Sequence, residues 1–130
     1  MSVFAIRNAR IFDGSDFLAD HAVLVRDGKI DAIVADGSLP DDVETIDGKG
    51  QTLAPGLIDV QVNGGGGVLL NDVPDVETIQ TMVAAHRKFG TTAMLPTLIT
   101  DPREKMEAAI TAVQEAIDGG LPGVIGIHLE

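Results

Sequence analysis

The stretch at residues 53–67, LAPGLIDVQVNGGGG, constrains the fold of this chain most strongly. A Pro-Gly pair interrupts the backbone, and the apolar run Leu57–Val60 that follows is typical of a strand buried on both faces. Gln61 and Asn63 then point to the same side, because side chains in a strand alternate. Gly64–Gly67 allows the backbone to approach a ligand closely. This arrangement is typical of the active-site face of a parallel α/β barrel.

The residues after Gly67 repeat this organisation. Apolar residues at helical spacing over residues 76–89 predict a helix that ends near Gly90, followed by a second strand at Thr92–Leu95. Another helix over residues 101–117 leads to a third strand at Val124–Ile127. Alternating strands and helices predict right-handed βαβ units and a parallel sheet.

Both predicted helices have an apolar stripe that we expect to be buried. In the second helix, Asp101 is expected to cap the N-terminus, Pro102 to occupy the first helical position, and Glu104 to close a capping box. The stripes comprise Val76, Ile79, Met82, Val83, His86 and Phe89 in the first helix, and Met106, Ala109, Ile110, Val113 and Ile117 in the second.

The first fifty residues predict short antiparallel strands. The candidate strands are Val3–Phe12, His21–Arg26, Lys29–Val34 and Val43–Ile46. Asp27-Gly28 between the middle two is a strong hairpin signal. With 130 residues, the chain is shorter than the about 250 residues of a complete eight-stranded barrel. We therefore divide it at residue 54, with a small β-sheet segment before the boundary and the first part of an α/β barrel at residues 55–130.

Composition excludes several classes of partner and site. The net charge of −11 argues against nucleic acid and anionic membranes as partners. The absence of cysteine excludes disulfides and thiolate metal sites, and fits a reducing cytoplasm. Charged and polar residues interrupt the first twelve positions, so we expect no signal peptide. The expected location is therefore cytoplasmic, with no membrane partner.

The candidate chemistry lies at the predicted strand ends. His128 and Glu130 are two residues apart, and parallel strands end at the same edge of a sheet. We therefore expect both side chains near Gln61 and Asn63. A carboxylate at this place can bind a divalent metal, but spacing alone leaves open that Glu130 is only a solvated carboxylate.

Three motifs resemble the amidohydrolase superfamily and, within it, the N-acetylglucosamine-6-phosphate deacetylases. They are APGLIDVQVNGGGG at residues 54–67, GTTAMLPTLIT at residues 90–100 and GVIGIHLE at residues 123–130. The resemblance implies that residues 1–54 are part of a small β-sandwich, incomplete here. It also implies that residues 55–130 are the N-terminal part of a (β/α)8 TIM-type barrel.

This resemblance implies a metal-dependent hydrolase that converts N-acetylglucosamine 6-phosphate to glucosamine 6-phosphate and acetate. Glu130 would be a metal ligand, with His128 beside the metal or simply buried. Two histidine ligands and the catalytic aspartate, the general base and then acid, are expected beyond residue 130. We therefore expect the 130-residue chain to be inactive and the full-length protein to be a homodimer that binds a small phosphorylated amino sugar.

Gln61 and Asn63 stand where most amidohydrolases carry His-x-His. Amide oxygens are poorer ligands for zinc or iron than imidazole, so we expect one divalent metal, zinc or iron. The two amides would lie near the metal or the substrate, or only satisfy backbone groups. Gly64 and Gly65 are predicted to belong to a flexible active-site loop, with a plain linker as the alternative.

Other interpretations stay open. A dihydroorotase-like or hydantoinase-like hydrolase of cyclic amides would share the fold, although such enzymes usually keep His-x-His. A non-catalytic domain that assembles with a partner is the other alternative. For two further polar residues we predict structural roles, with His86 a core histidine and Asp59 the acceptor of a structural hydrogen bond.

Overall fold

The computed structural model describes residues 2–130, which divide into two compact units. The first unit ends at Pro55 and the second comprises Gly56–Glu130. Within residues 2–130 no helix is long and apolar enough to cross a membrane.

The first unit is built from short strands in two sheets. One sheet has the order β5-β4-β1-β6 and the other β3-β2-β7, where the strands are β1 (Val3–Arg7), β2 (Arg10–Phe12), β3 (Phe17–Leu18), β4 (His21–Arg26), β5 (Lys29–Ala35), β6 (Glu44–Asp47) and β7 (Thr52–Leu53). The predicted hairpin at Asp27-Gly28 is confirmed, since it joins the antiparallel strands β4 and β5. Both turn residues have positive φ, as a tight two-residue turn requires.

Two predictions for this unit are wrong. Val3–Phe12 is not one strand, because Asn8 adopts a φ of 53° and the chain then passes from the first sheet to the second. The unit is also not wholly antiparallel: β6 pairs with β1, and β7 with β2, in parallel. After a long connection, the segment β6–β7 runs beside the segment β1–β2 in the same direction, which makes both pairs parallel. Both segments pass from the first sheet to the second at the same place, where Gly50 donates its backbone N–H to the Asn8 carbonyl at 2.7 Å.

The two sheets of the first unit enclose apolar side chains. Ala5, Ile11 and Ala22 are buried, and an apolar cleft of about 200 Å³ is lined by residues of both sheets. At the surface, the Arg7 guanidinium donates a hydrogen bond to Asp36 at 2.8 Å and lowers the pKa of that carboxyl. This surface pair carries no sign of catalytic chemistry.

The second unit alternates strands and helices around a parallel sheet. Its elements are β8 (Leu57–Val62), β9 (Gly64–Gly65), β10 (Val68–Leu69), α1 (Val76–Arg87), β11 (Thr91–Leu98), α2 (Arg103–Asp118) and β12 (His128–Leu129). The sheet has the order β12-β11-β8, and both pairings are parallel. The predicted parallel order is therefore confirmed. The shared core contains Val62, Leu70, Ile79, Met82, Val83, Met94, Leu98, Ala109, Ala112, Val113, Ala116 and Val124.

The third strand differs from its prediction. Val124 forms an isolated bridge with Met94, and regular pairing resumes only at His128. Met94 donates its backbone N–H to Gly123, but the next donor along this ladder would be Pro96, which has none. The ladder is therefore interrupted, and Val124–Ile127 is not a continuous strand.

The helix ends follow capping chemistry only in part. Asp75 caps α1 by accepting the Thr78 backbone N–H at 2.7 Å, and Gly90 beyond its C-terminus has positive φ. The predicted cap of α2 is wrong. Pro102 occupies the N-cap position without a side-chain hydrogen bond, and Asp101 instead accepts a hydrogen bond from Asn71 at 2.8 Å.

Several apolar side chains that were expected to be buried are exposed. Phe89 lies beyond the end of α1 and is 84% exposed, while Ile110 and Ile117 of α2 are 44% and 38% exposed. The second helix packs instead through alanines, which shifts its buried face away from the isoleucines. In β8, Leu57, Ile58 and Val60 are at least 60% exposed, because β8 is the edge strand of this sheet within residues 2–130.

Thr97 fixes β8 against β11, and its loss is expected to destabilise the second unit. The fully buried hydroxyl of Thr97 accepts the Val62 backbone N–H at 2.8 Å and donates to the Leu95 carbonyl. Thr97→Val keeps the shape but leaves a buried N–H unpaired, so we expect the free energy of unfolding to fall by about 1–3 kcal/mol. Urea denaturation measures the change.

Thr91→Val is the matched control for Thr97→Val. Thr91 lies on the same strand and is 8% exposed, and its hydroxyl makes no hydrogen bond within residues 2–130. We expect a smaller effect from this substitution. Equal effects of the two substitutions would contradict the role given to Thr97.

Candidate active site

The carboxyl ends of the three parallel strands bring together two residues far apart in sequence. Asn63 follows β8, Glu130 follows β12, and the Asn63 side-chain amide Nδ2 donates to Glu130 Oε2 at 3.4 Å. The structure therefore places Asn63 and Glu130 at the same edge of the sheet, as predicted. Their roles toward a metal or a substrate stay predictions.

The backbone of Glu130 is held by the segment that follows β11. Its N–H donates to the Leu98 carbonyl at 3.0 Å, and its carbonyl accepts from the Thr100 hydroxyl at 2.9 Å. The side chain itself is exposed. Glu130 therefore combines a fixed backbone with an accessible carboxylate.

Gln61 and Asp59 interact through the backbone. The Gln61 N–H donates to Asp59 Oδ1 at 3.1 Å, which is the structural hydrogen bond predicted for Asp59. The Gln61 side chain is exposed and makes no hydrogen bond within residues 2–130. The structure thus does not join Gln61 to Glu130 in the way that it joins Asn63.

His128 is oriented across the sheet. Its Nδ1 lies 3.0 Å from the Val60 carbonyl, so Nδ1 carries the proton and donates. The half-buried ring links β12 to β8, and whether His128 orients its neighbours or is simply a satisfied histidine stays a prediction.

The glycine run forms a hairpin turn. Gly64–Gly65 pairs with Val68–Leu69 in a β-hairpin, and Gly66 and Gly67 supply the positive φ of the turn. A Cβ on Gly64 would lie 2.2 Å from the Val68 carbonyl oxygen. The backbone of Gly64–Gly67 is thus a hairpin turn that this close approach requires, while its flexibility and its place at an active site stay predictions.

His86 holds the hairpin against α1. Its Nε2 donates to the Gly64 carbonyl at 2.9 Å, and a Cβ on Gly65 would lie 2.7 Å from the same ring nitrogen. The ring is half-buried, so the prediction of a core histidine is only partly right. The glycines permit contact between hairpin and helix, which the helical spacing of His86 alone did not indicate.

Asn71 and Thr100 lie at this edge and were missed by sequence reasoning. Asn71 follows β10, and its side chain binds the backbone of Ile99 after β11. Thr100 donates to the Glu130 carbonyl. Neither residue belongs to a spacing pattern that points to these contacts, since both depend on how the loops meet in three dimensions.

The donor set fits part of a metal site. Within residues 2–130 no three His, Asp or Glu side chains cluster closely enough to hold a metal ion. Glu130 offers an accessible carboxylate, which suits a divalent cation, and Asn63 offers an amide.

The chain is similar to deacetylases of amino-sugar phosphates. Residues 3–53 match the family model described as the NagA composite domain. An N-acetylgalactosamine-6-phosphate deacetylase from Shewanella sp. (strain ANA-3) is 63% identical over 79 residues, which cover 61% of this chain and 20% of that protein. An N-acetylglucosamine-6-phosphate deacetylase from Haemophilus influenzae is 36% identical over 127 residues, 98% of this chain and 33% of that protein.

A solved structure shares the fold of the whole chain. The crystal structure of N-acetylglucosamine-6-phosphate deacetylase from Pasteurella multocida superposes with a TM-score of 0.94 at 36% identity. The match covers 98% of this chain and 34% of that one. The chain therefore spans about a third of the length of such relatives.

Proposed function

Because this chain belongs to the family of N-acetylglucosamine-6-phosphate deacetylases, we propose that it forms part of a hydrolase that releases acetate from N-acetylglucosamine 6-phosphate. The products are glucosamine 6-phosphate and acetate. The observation that carries the proposal is the likeness over 98% of the chain to a solved deacetylase, with Asn63 and Glu130 paired at the carboxyl edge of the sheet. The cyclic-amide alternative is not favoured, because the relatives are named deacetylases.

Residues outside this chain would complete the barrel in this proposal. The exposed apolar side chains of β8 support it, since Leu57, Ile58 and Val60 are suited to burial against further elements. The homodimer and the cytoplasmic location expected from the sequence belong to the same proposal.

Glu130 would hold one divalent metal, zinc or iron, in the complete site. A metal of this kind polarises an amide carbonyl and lowers the pKa of water. Asn63 would orient the carboxylate by donating to Oε2, and His128 would be held in one tautomer by the Val60 carbonyl. The one-metal proposal is supported by the amides Gln61 and Asn63 at the place where imidazoles would otherwise bind.

A second substrate is favoured by one observation. The relative that is 63% identical over 79 residues is named for the galactosamine compound. The two sugars differ only in the configuration of one hydroxyl, so the same hydrolytic site could accept either. We therefore include N-acetylgalactosamine 6-phosphate as the alternative substrate.

Acetate release from both sugar phosphates tests the proposal. We expect the intact protein that carries this sequence to release acetate from one of them with a clearly higher kcat/KM. The chain of residues 1–130 alone is expected to release none, because the family resemblance places the general base and two histidine ligands beyond residue 130. An intact protein without activity on either compound would contradict the function, and an active 130-residue chain would contradict the need for further residues.

A further inference from the structure

The side-chain amide of Asn71 makes three hydrogen bonds, two with the backbone of Ile99 and one with Asp101. Its Oδ1 accepts the Ile99 backbone N–H at 3.0 Å, and its Nδ2 donates to the Ile99 carbonyl at 2.9 Å and to Asp101 Oδ2 at 2.8 Å. Both hydrogens of Nδ2 are thereby used. Asp101 is held in turn by Lys105 at 3.4 Å. One half-buried asparagine thus fixes the segment after β11 to the segment after β10.

These two segments carry the candidate site. On one side, Leu70 next to Asn71 donates its backbone N–H to the Asn63 carbonyl at 3.0 Å, and Leu70 is fully buried. On the other side, Thr100 next to Ile99 donates to the Glu130 carbonyl at 2.9 Å. Asn71 therefore connects the segment that holds the Asn63 backbone to the segment that holds the Glu130 backbone. The side chains of Asn63 and Glu130 meet at 3.4 Å.

We propose that Asn71 is a positioning residue that sets the location of Glu130 relative to Asn63 by holding the loops after β10 and β11 together. The part of this proposal that concerns activity rests on the deacetylase function proposed above. Asn71 does not need to touch a substrate or a metal in this role. It acts through Ile99 and Thr100 on the backbone of Glu130.

Only an uncharged amide satisfies all three partners. An aspartate at position 71 could still accept the Ile99 N–H, but it could not donate to the Ile99 carbonyl or to Asp101. It would also place one carboxylate against another, which is destabilising for the contact. Asn71→Asp is therefore a nearly isosteric substitution that removes two of the three hydrogen bonds between the loops and adds a repulsion.

The chain offers a matched control. On the exposed face of α2, Gln114 Nε2 donates to Asp118 Oδ1 at 2.9 Å. Gln114→Glu makes the same amide-to-carboxylate change beside an aspartate, away from the candidate site. Asn71→Asp and Gln114→Glu are compared in the intact protein, together with the double variant Asn71→Asp/Asp101→Asn. The double variant restores one amide–carboxylate pair between positions 71 and 101.

Hydrogen exchange tests positioning without metal or substrate. In Asn71→Asp we expect faster exchange of the Ile99 amide and also of the Glu130 amide, whose N–H donates to Leu98. Gln114→Glu is expected to leave both unchanged. Faster exchange at Ile99 with unchanged exchange at Glu130 would overturn the proposal, because the effect would then be purely local.

Metal affinity and kinetics test the functional consequence. Titration with a competing chelator is expected to show metal affinity about 10- to 100-fold lower in Asn71→Asp, with a similar fall in kcat, little change in KM and partial recovery in the double variant. Affinity and kcat within about twofold of Gln114→Glu would overturn the proposal. If the unsubstituted protein has no deacetylase activity, the proposed function fails, whereas hydrogen exchange still decides the role of Asn71.

Discussion

Glu130→Gln is expected to lower kcat/KM of the intact protein by at least about 100-fold and to reduce the metal retained after dialysis. Loss of a group that only supports a ligand costs about 10- to 100-fold, so loss of the ligand charge itself should cost more. Glutamine keeps the shape and an oxygen that Asn63 can still bond, but it loses the negative charge that attracts a cation. Acetate release and elemental analysis measure the two effects.

Glu107→Gln is the control for Glu130→Gln. Glu107 is exposed and pairs with Arg103 on α2 at 2.8 Å, so its neutralisation should leave kcat/KM and metal content unchanged. If Glu130→Gln retained both properties as well, Glu130 would be only a solvated carboxylate. Two tightly held metals per subunit in the unsubstituted protein would contradict the proposal of one metal.

Gly64→Ala is expected to lower the free energy of unfolding by about 3 kcal/mol. The added Cβ would lie 2.2 Å from the Val68 carbonyl oxygen and 2.7 Å from Leu69 Cδ2, and the first of these atoms belongs to the paired backbone. Overpacking of this kind typically costs about 1–3 kcal/mol, with the upper end expected because the backbone must move. Urea denaturation of the protein measures the loss.

Gly67→Ala separates crowding from backbone strain. Gly67 lies in the same hairpin with a φ of +89°, and a Cβ there would meet nothing within 4 Å. The substitution should therefore cost only the strain of a left-handed alanine, about 1–2 kcal/mol. A Gly64→Ala variant no less stable than Gly67→Ala would contradict the close packing of the hairpin.

The parts of the site that depend on local rules were predictable from the sequence. Alternation in β8 and the repeat of strands and helices predicted a parallel sheet whose carboxyl ends meet. That sheet predicts that Asn63 and Glu130 lie close together, and the structure confirms it with a distance of 3.4 Å between Asn63 Nδ2 and Glu130 Oε2. The roles of these residues came only from family resemblance.

The parts that depend on neighbouring elements were not predictable. Val124–Ile127 has the apolar composition of a strand, yet the missing N–H of Pro96 on the adjacent strand interrupts its pairing. Ile110 and Ile117 have helical spacing, but alanines allow the helix to pack on a different face. Asn71 shows no pattern at all, because its partners are brought to it by two loops distant in sequence.

The open side of β8 has a consequence for solubility. Within residues 2–130, β8 pairs with β11 on one side only, so its other side presents unpaired backbone N–H and C=O groups. Leu57, Ile58 and Val60 of the same strand are exposed. Where this edge stays uncovered, two copies of residues 1–130 can pair strand to strand along it, which favours aggregation.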